Sequence, residues 1–263
     1  MSAFAQSLST AVGLVRDADP QLTRIVLLSL SVSGAACLIG AIFGLAGGAW
    51  LAVTRIPGRR ALVALLNTLL GLPSVVVGLV VYLLLSRSGP LGSWGILFTP
   101  KAMIVAQALL VMPIIAALTR QTVEDLWAEY RDELTALRVT PARRVTTLIW
   151  DARFSLVTTL LAGFGRAAAE VGTVMIVGGN IDGFTRTMTT AIALETSKGD
   201  LPLAMGLGLV LITLIVAVNA LAWGARRLGE LRAGWRMIPK SMSSTPIGDG
   251  RRFSEKIMRK ARL

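Results

Sequence analysis

The feature that most constrains this chain is a series of long apolar segments that contain very few charged residues. Hydrophobic residues make up 54% of the 263 residues and charged residues only 16%, a balance that the surface of a soluble domain does not carry. A helix needs about 20 apolar residues to cross the hydrocarbon core of a bilayer. We therefore predict an all-α membrane protein with five transmembrane helices, at residues 25–53, 61–85, 102–119, 154–179 and 203–224.

The distribution of positive charge predicts the orientation of these spans. Five spans place the two termini on opposite sides of the membrane, and twenty lysines and arginines fall on the side of the C-terminus against six on the other side. Because cytoplasmic segments are enriched in Lys and Arg, we predict a multi-pass protein of the plasma (inner) membrane with its N-terminus outside and its C-terminus in the cytoplasm.

The predicted spans divide the chain into three parts. Residues 1–23 are expected to form an N-terminal interfacial segment rather than a signal peptide, because no basic stretch precedes an apolar run. Residues 24–225 form the transmembrane domain, with an inner loop at 120–153. Residues 226–263 form a basic cytoplasmic tail, and such tails bind anionic lipid headgroups, so we expect contact with the bilayer and none with nucleic acid.

The absence of whole residue types and motifs from the sequence excludes several classes of site. The chain has no histidine and one cysteine, Cys37, so His-ligated metal sites, Ser-His-Asp triads and Cys-His dyads are excluded. We therefore predict no metal site, no cofactor and no enzymatic activity of the chain itself.

The inner loop carries a helical repeat of apolar residues between Gln121 and Leu137. A break follows at Val139. Thr140 can then cap a second helix with Pro141 at its first position, where the missing N–H is not needed. This second helix leads into the fourth span. From the pattern alone, a solvated helical hairpin and a docking element fit equally well.

The end of the first loop helix resembles a motif of binding-protein-dependent ABC importers. The segment Asp132-Glu133-Leu134-Thr135-Ala136-Leu137-Arg138, with Leu148 ten residues further on, is similar to their EAA loop, which inserts into a groove of the ATP-binding subunit. Asp132 stands where that family has Glu, and Arg138 where it has Gly. The resemblance implies that the residues contacting the ATPase are Asp132, Glu133, Leu134, Leu137 and Arg138.

Two further segments resemble the oxyanion permeases of this superfamily. Residues 72–79 and 86–92 resemble the second core span and outer loop of permeases for molybdate, tungstate and phosphate. Residues 170–180, 185–192 and 195–200 resemble the tungstate branch. The resemblance implies the permease subunit of a type I ABC importer, similar in fold to the methionine and molybdate importers. It also implies a homodimer, two copies of a separate ATPase, an external oxyanion-binding protein, and tungstate as cargo with molybdate as the alternative.

The chain carries no G-x-x-x-x-G-K-[S/T] sequence, the loop that holds nucleotide phosphates in many ATPases. ATP is therefore expected to bind the partner subunit.

Two charged residues, Arg166 and Glu170, lie inside the fourth span. A charge near the bilayer centre costs about 2.5–3.5 kcal/mol on insertion scales, and residues four apart on a helix can pair. Either the pair only fixes helix packing, or both side chains face the translocation path, where Arg166 would lower the barrier for an anion. Thr173, in the segment that resembles the tungstate branch, is assigned to the same path.

Two outer segments are candidates for contact with the binding protein. The residues between Thr187 and Lys198 are expected to form a short surface helix that stops at Gly199, which could equally be a simple interfacial linker. Gly89 to Trp94 lie in the other outer loop. The predicted contact residues are Arg87, Gly89, Trp94, Arg186 and Glu195.

Two other classes of protein remain open on sequence grounds. A secondary transporter or channel should show internal repeats or discontinuous spans, and no repeat relates the two halves. A membrane enzyme needs a nucleophile beside a base, whereas Arg166 and Glu170 are the ionisable groups that the spans offer.

Overall fold

A computed structural model describes residues 20–232, together with the isolated Gly13, and side chains as far as Leu228. Every regular element within this range is helical, as predicted. A 3₁₀ turn at Gly92–Trp94 lies between the third and fourth helices. In chain order the helices are α1 (Pro20–Val53), α2 (Arg59–Leu70), α3 (Ser74–Leu85), α4 (Pro100–Ala136), α5 (Pro141–Asp151), α6 (Arg153–Ala168), α7 (Gly172–Gly178), α8 (Met188–Lys198) and α9 (Leu201–Arg232).

Three of these helices, α1, α4 and α9, are long and apolar enough to cross a bilayer alone. Two further pairs of helices, α2 with α3 and α5 with α6, meet the same length and composition test together but are bent by 100° and 80° at their junctions. The described residues therefore contain three to five candidate spans. The predicted second span, 61–85, consists of two helices: the chain breaks where Pro73 removes an N–H and restricts Leu72 to extended backbone.

The third predicted span and the first loop helix form one continuous helix. α4 runs for 37 residues, from Pro100 to Ala136, through Pro113. Between Leu118 and Val123 the chain becomes polar but contains neither Gly nor Pro, so helical hydrogen bonding continues while the environment of the side chains changes. α4 therefore connects the apolar core directly to the inner loop.

The fourth predicted span is divided into two helices. α6 ends at Ala168 and α7 begins at Gly172, with Glu170 in the break between them. The prediction of one helix over 154–179 is therefore wrong. Such interruptions within a membrane domain are tolerated where neighbouring groups satisfy the freed backbone, and the hydrogen bonds of Glu170 supply this here.

The core joins α1, α3, α4 and α7. Its central cluster consists of residues from these four helices: Val32, Val81, Leu85, Ala102, Met103, Ala106, Val174 and Val177. A second cluster of Ala41, Val111, Ile115 and Ala167 joins α1, α4 and α6. Large apolar side chains on α2, α3 and α9 are exposed instead, for example Leu65, Leu79 and Ile212, as expected for surfaces that face lipid or another subunit.

Most described residues belong to one compact unit that ends at Arg226, and a second unit comprises Arg227–Leu263. Most of the predicted basic tail, and all of the predicted interfacial segment before Pro20 except Gly13, lie outside the described residues. The three-part division of the chain stays a prediction.

Glycines on one face of α1 allow α4 to approach closely. A Cβ added to Gly44 would lie 2.9 Å from Ile115 Cγ2, and one added to Gly48 would lie 2.3 Å from the backbone oxygen of Ala116. Backbone cannot move aside as a flexible side chain can, so any side chain at residue 48 forces the two helices apart.

Gly48→Ala is therefore expected to destabilise the protein by about 1–3 kcal/mol, the usual range for overpacking. Gly47→Ala is the matched control, because its added Cβ meets nothing within 4 Å. Thermal unfolding of both variants in detergent should show a clear loss of stability at residue 48 and little change at residue 47. Equal midpoints for the two variants would contradict the packing described here.

Candidate functional site

The first helix of the predicted inner loop, which is the end of α4, stops in a Schellman motif, a common hydrogen-bonded helix end. The N–H of Val139 donates to Leu134 O at 3.1 Å, and the N–H of Arg138 donates to Thr135 O at 3.0 Å. Arg138 has φ +50°, the left-handed conformation that favours glycine at this position of the motif. The glycine position of the EAA pattern therefore coincides with the left-handed residue, which supports the register of the resemblance given above.

The predicted ATPase contacts differ in exposure. Asp132, Glu133, Leu137 and Arg138 are exposed, with 43% of Leu137 accessible. Leu134 is only 2% exposed, so it packs inside this chain. We correct the prediction for this residue: Leu134 supports the surface from within, and the other four residues can be reached by a partner.

The helix α5 starts at the predicted position and is fastened to α4. Thr140 is its N-cap residue and Pro141 its first residue. The Nε of Arg144 donates to Val139 O at 2.8 Å, and its guanidinium lies 5.2 Å from the centre of the Trp127 ring on α4. This cation–π contact fixes the angle between the two arms of the loop.

A charged cluster that sequence reasoning missed lies where α2 meets α4. Both Arg59 and Arg120 form ion pairs with the carboxylate of Glu124, and the Nε of Arg59 also donates to Leu51 O at 3.0 Å. The Arg120–Glu124 spacing of four residues was readable as a helical pair. The contact with Arg59 joins residues 65 apart, which no local pattern could indicate.

The predicted pair of Arg166 and Glu170 forms. Arg166 Nη1 lies 2.5 Å from Glu170 Oε2, and the side chains are 37% and 3% exposed, respectively. The other carboxylate oxygen accepts the N–H of Thr173 at 3.1 Å, and the backbone oxygen of Glu170 accepts a hydrogen bond from the hydroxyl of Thr189 at 2.8 Å. Glu170 is thus a buried anchor of the break between α6 and α7, whereas Arg166 reaches an open surface of the chain.

Thr173 connects this pair to α3. Its hydroxyl donates to Ser74 O at 2.6 Å, and a Cβ on Gly78 would lie 2.8 Å from Thr173 Cα. Thr173 is itself fully buried. Its described contacts bridge α3 and α7, and its assignment to a translocation path stays a prediction.

The first predicted outer loop is a tight turn with an exposed aromatic residue. Arg87 is exposed, and Trp94, in the 3₁₀ turn, is 60% exposed. A Cβ on Gly89 would lie 2.1 Å from Leu83 O, so Gly89 is required by the turn itself. Of the three predicted contact residues in this loop, Arg87 and Trp94 offer side chains to a partner.

The second predicted outer segment forms the expected short helix, α8. A capping box of Thr187 and Thr190 starts it, and Gly199, with φ +84°, ends it. Glu195 pairs with Lys198 at 2.8 Å, and Arg186 pairs with Asp182 at 3.0 Å.

Arg186 also lines an open groove of about 930 Å³ between the start of α1 and residues 182–186. Arg24 lies in the same lining, so the groove carries two arginines against the carboxylate of Asp182. Its shape and positive charge are suited to contact with an acidic surface.

The amino-acid sequence of the chain is similar to those of several known transport proteins. The chain is 42% identical to the probable anion ABC transporter permease protein of Haloferax volcanii over 210 residues, 78% of this chain and 90% of that protein. It is 39% identical to the tungstate uptake system permease protein TupB of Peptoclostridium acidaminophilum, over 85% of this chain and 98% of that protein. TupB of Campylobacter jejuni is 40% identical over 64% of this chain and 71% of that protein. No protein-family model matches the chain.

More distant relatives are named for the transport of sulfate or molybdenum. The sulfate transport system permease protein CysT of Escherichia coli is 26% identical, and the putative molybdenum transport system permease protein YvgM of Bacillus subtilis is 28% identical.

Proposed function

The chain belongs to the family of ABC transporter permease proteins, and we propose from this premise that it forms the membrane path of an ATP-driven importer for tungstate. The observation that carries the proposal is the identity of 39% to a tungstate uptake permease over 85% of the chain. Relatives named for sulfate and molybdenum transport are only 26–29% identical. Tungstate and molybdate have the same charge and nearly the same shape, so molybdate is the alternative cargo.

Arg166 is proposed to be the residue that lowers the barrier for the anion. Its guanidinium is always charged, it is 37% exposed, and one side of it is held by Glu170. The carboxylate fixes the orientation of the guanidinium and cancels part of its charge. A partly compensated cation attracts an oxyanion without holding it tightly, which is what a path needs if the cargo is to be released.

The driving force is proposed to come from a separate ATPase that docks on the end of α4. The exposed residues Asp132, Glu133, Leu137 and Arg138 form the surface for this contact. The buried Leu134 and the Arg144–Trp127 contact hold that surface in place. The chain carries no phosphate-binding loop of the Walker type, so we assign ATP binding and hydrolysis to the partner.

The remaining assignments follow the same scheme. We propose a homodimer around a central path, with the inner loop in the cytoplasm and the N-terminus outside, as the distribution of Lys and Arg indicates. An oxyanion-binding protein is proposed to dock on the outer surface that includes Arg87, Trp94, Arg186 and Glu195.

Cargo selectivity tests the proposal. Cells that lack their own oxyanion importers and express this permease with its ATPase and binding protein are expected to accumulate tungstate, as measured by mass spectrometry of washed cells. Excess molybdate should compete and excess sulfate should not, because sulfate is a smaller anion. Accumulation of sulfate with no uptake of tungstate would contradict the proposed cargo.

A further inference from the structure

The helix α2 has an ion pair at its first residue and no buried residue along its length. All twelve of its residues, Arg59 to Leu70, are exposed or only partly buried. Its first residue, Arg59, is paired with Glu124 on α4. Its last residue leads through Gly71–Pro73 into α3, at a bend of 100°.

The contact at the start of α2 lies on the same helix as the proposed ATPase surface. Glu124 precedes Asp132 by eight residues of α4, a distance of about 12 Å along the helix axis. α4 is unbroken between them. A displacement of the docking surface therefore moves Glu124, and with it the start of α2.

The contact beyond the other end of α2 leads to Arg166. The backbone oxygen of Ser74, the first residue of α3, accepts a hydrogen bond from the hydroxyl of Thr173 at 2.6 Å. The N–H of Thr173 donates to Glu170 Oε1 at 3.1 Å. Glu170 in turn holds Arg166. The chain thus connects Glu124, through α2 and the bend at residues 71–73, to the polar contacts that Ser74 makes with the pair of the proposed anion-facing residue.

We propose that α2 is a lever that transmits movement of the docking surface to the Arg166–Glu170 pair. Arg59 and Glu124 are positioning residues at one end, and Ser74 and Thr173 are their counterparts at the other. The inference rests on the proposed function, because it requires a partner that moves the end of α4. It adds to that function by assigning the route of coupling within this chain.

The three charged side chains at the start of α2 allow its contact with α4 to be closed or open. Glu124 is shared by Arg59 and Arg120, so it stays paired with Arg120 if Arg59 moves away. Arg120 also has a buried Nε without a hydrogen-bond partner among the described residues. This N–H can donate a hydrogen bond when Arg59 moves away from Glu124. A contact that can open without leaving an unpaired carboxylate is suited to switching.

Arg59→Gln breaks the contact at α2, and Arg60→Gln is the matched control, because this exposed neighbour removes the same charge from the same region. The permease is reconstituted with its ATPase and binding protein, and oxyanion uptake is measured per ATP hydrolysed. We expect uptake per ATP to fall by about tenfold or more for Arg59→Gln and to stay near the wild-type value for Arg60→Gln. Once ATPase that is not bound to the permease has been removed, this ratio does not depend on the amount of folded complex, so a loss of yield alone leaves it unchanged.

A double substitution tests whether the two ends of α2 act together. Thr173→Val removes the hydroxyl that reaches Ser74 and should also lower uptake per ATP. If both ends act through α2, the variant with Arg59→Gln and Thr173→Val should be no worse than the poorer single variant, since coupled sites are not additive. Losses that multiply, or an Arg59→Gln variant as well coupled as Arg60→Gln, would overturn the lever.

Glu124→Gln breaks the contact from the side of α4, together with the Arg120 pair, and should also lower uptake per ATP if Arg59→Gln reduces the yield of complex. No uptake by the wild-type complex would instead overturn the proposed function itself. The two failures are therefore distinguishable.

Discussion

Replacing Glu170 by alanine is expected to remove most of the folded protein from the membrane. The carboxylate is 3% exposed and holds both Arg166 and the N–H of Thr173, so its loss leaves a charge and a buried donor without partners. Breaking a buried ion pair costs about 3–5 kcal/mol, and the lower end applies because Arg166 is partly exposed. The amount of monodisperse protein recovered in detergent measures the effect.

Asp182→Asn is the matched control for this substitution. Asp182 forms a pair of the same four-residue spacing with Arg186, but its side chain is 60% exposed. Exposed pairs contribute about 0–1 kcal/mol, so the yield of this variant should be close to that of the wild type. Equal yields for Glu170→Ala and Asp182→Asn would show that Glu170 is not an anchor.

A double substitution of Arg166 and Glu170 distinguishes a role in packing from a role in transport. Arg166→Met with Glu170→Gln removes both charges, and the glutamine can still accept the N–H of Thr173. Assembly should therefore recover, because neutral replacements of a buried pair are often nearly neutral in stability. If Arg166 faces the anion, the complex will hydrolyse ATP but fail to move oxyanion. Restored uptake would leave the pair with a packing role alone.

Replacing Leu137 by aspartate is expected to detach the ATPase while the permease stays folded. Leu137 is 43% exposed at the end of α4, and burial of a leucine in a partner's groove contributes about 1.5–3 kcal/mol. Its loss alone weakens binding by about tenfold or more, and a desolvated carboxylate adds to this. Recovery of the ATPase with the affinity-purified permease is the measurement.

Ala128→Asp is the control for Leu137→Asp, because it places the same charge on an exposed residue of the same helix. Leu134 is unsuitable for this test: at 2% exposure, an aspartate there would destabilise the permease itself. If Leu137→Asp retains as much ATPase as Ala128→Asp does, the docking surface lies elsewhere.

Local signals predicted several elements to within a residue or two. Thr140 with Pro141 marked the start of α5, and Thr187 with Gly199 marked the ends of α8. These succeed because capping residues and a left-handed glycine act through neighbouring backbone groups. Polarity, in contrast, wrongly suggested a boundary between the third span and the first loop helix near residue 119, since a helix continues through a change of environment when nothing breaks it.

The features that sequence reasoning missed depend on contacts between distant residues. Glu170 interrupts the fourth predicted span while holding Thr173 and receiving a hydrogen bond from Thr189. Leu134 is buried although its neighbours Glu133 and Leu137 are exposed. Helical periodicity gives the face on which a residue lies, and the packing of other elements decides whether that face is covered.

The most direct test of this account is oxyanion uptake by proteoliposomes from which each component is omitted in turn. We predict that tungstate enters only when the permease, the ATPase, the binding protein and ATP are all present, and that uptake stops when the ATPase or ATP is left out. Uptake by the permease alone, driven by an ion gradient, would contradict the account and indicate a secondary transporter.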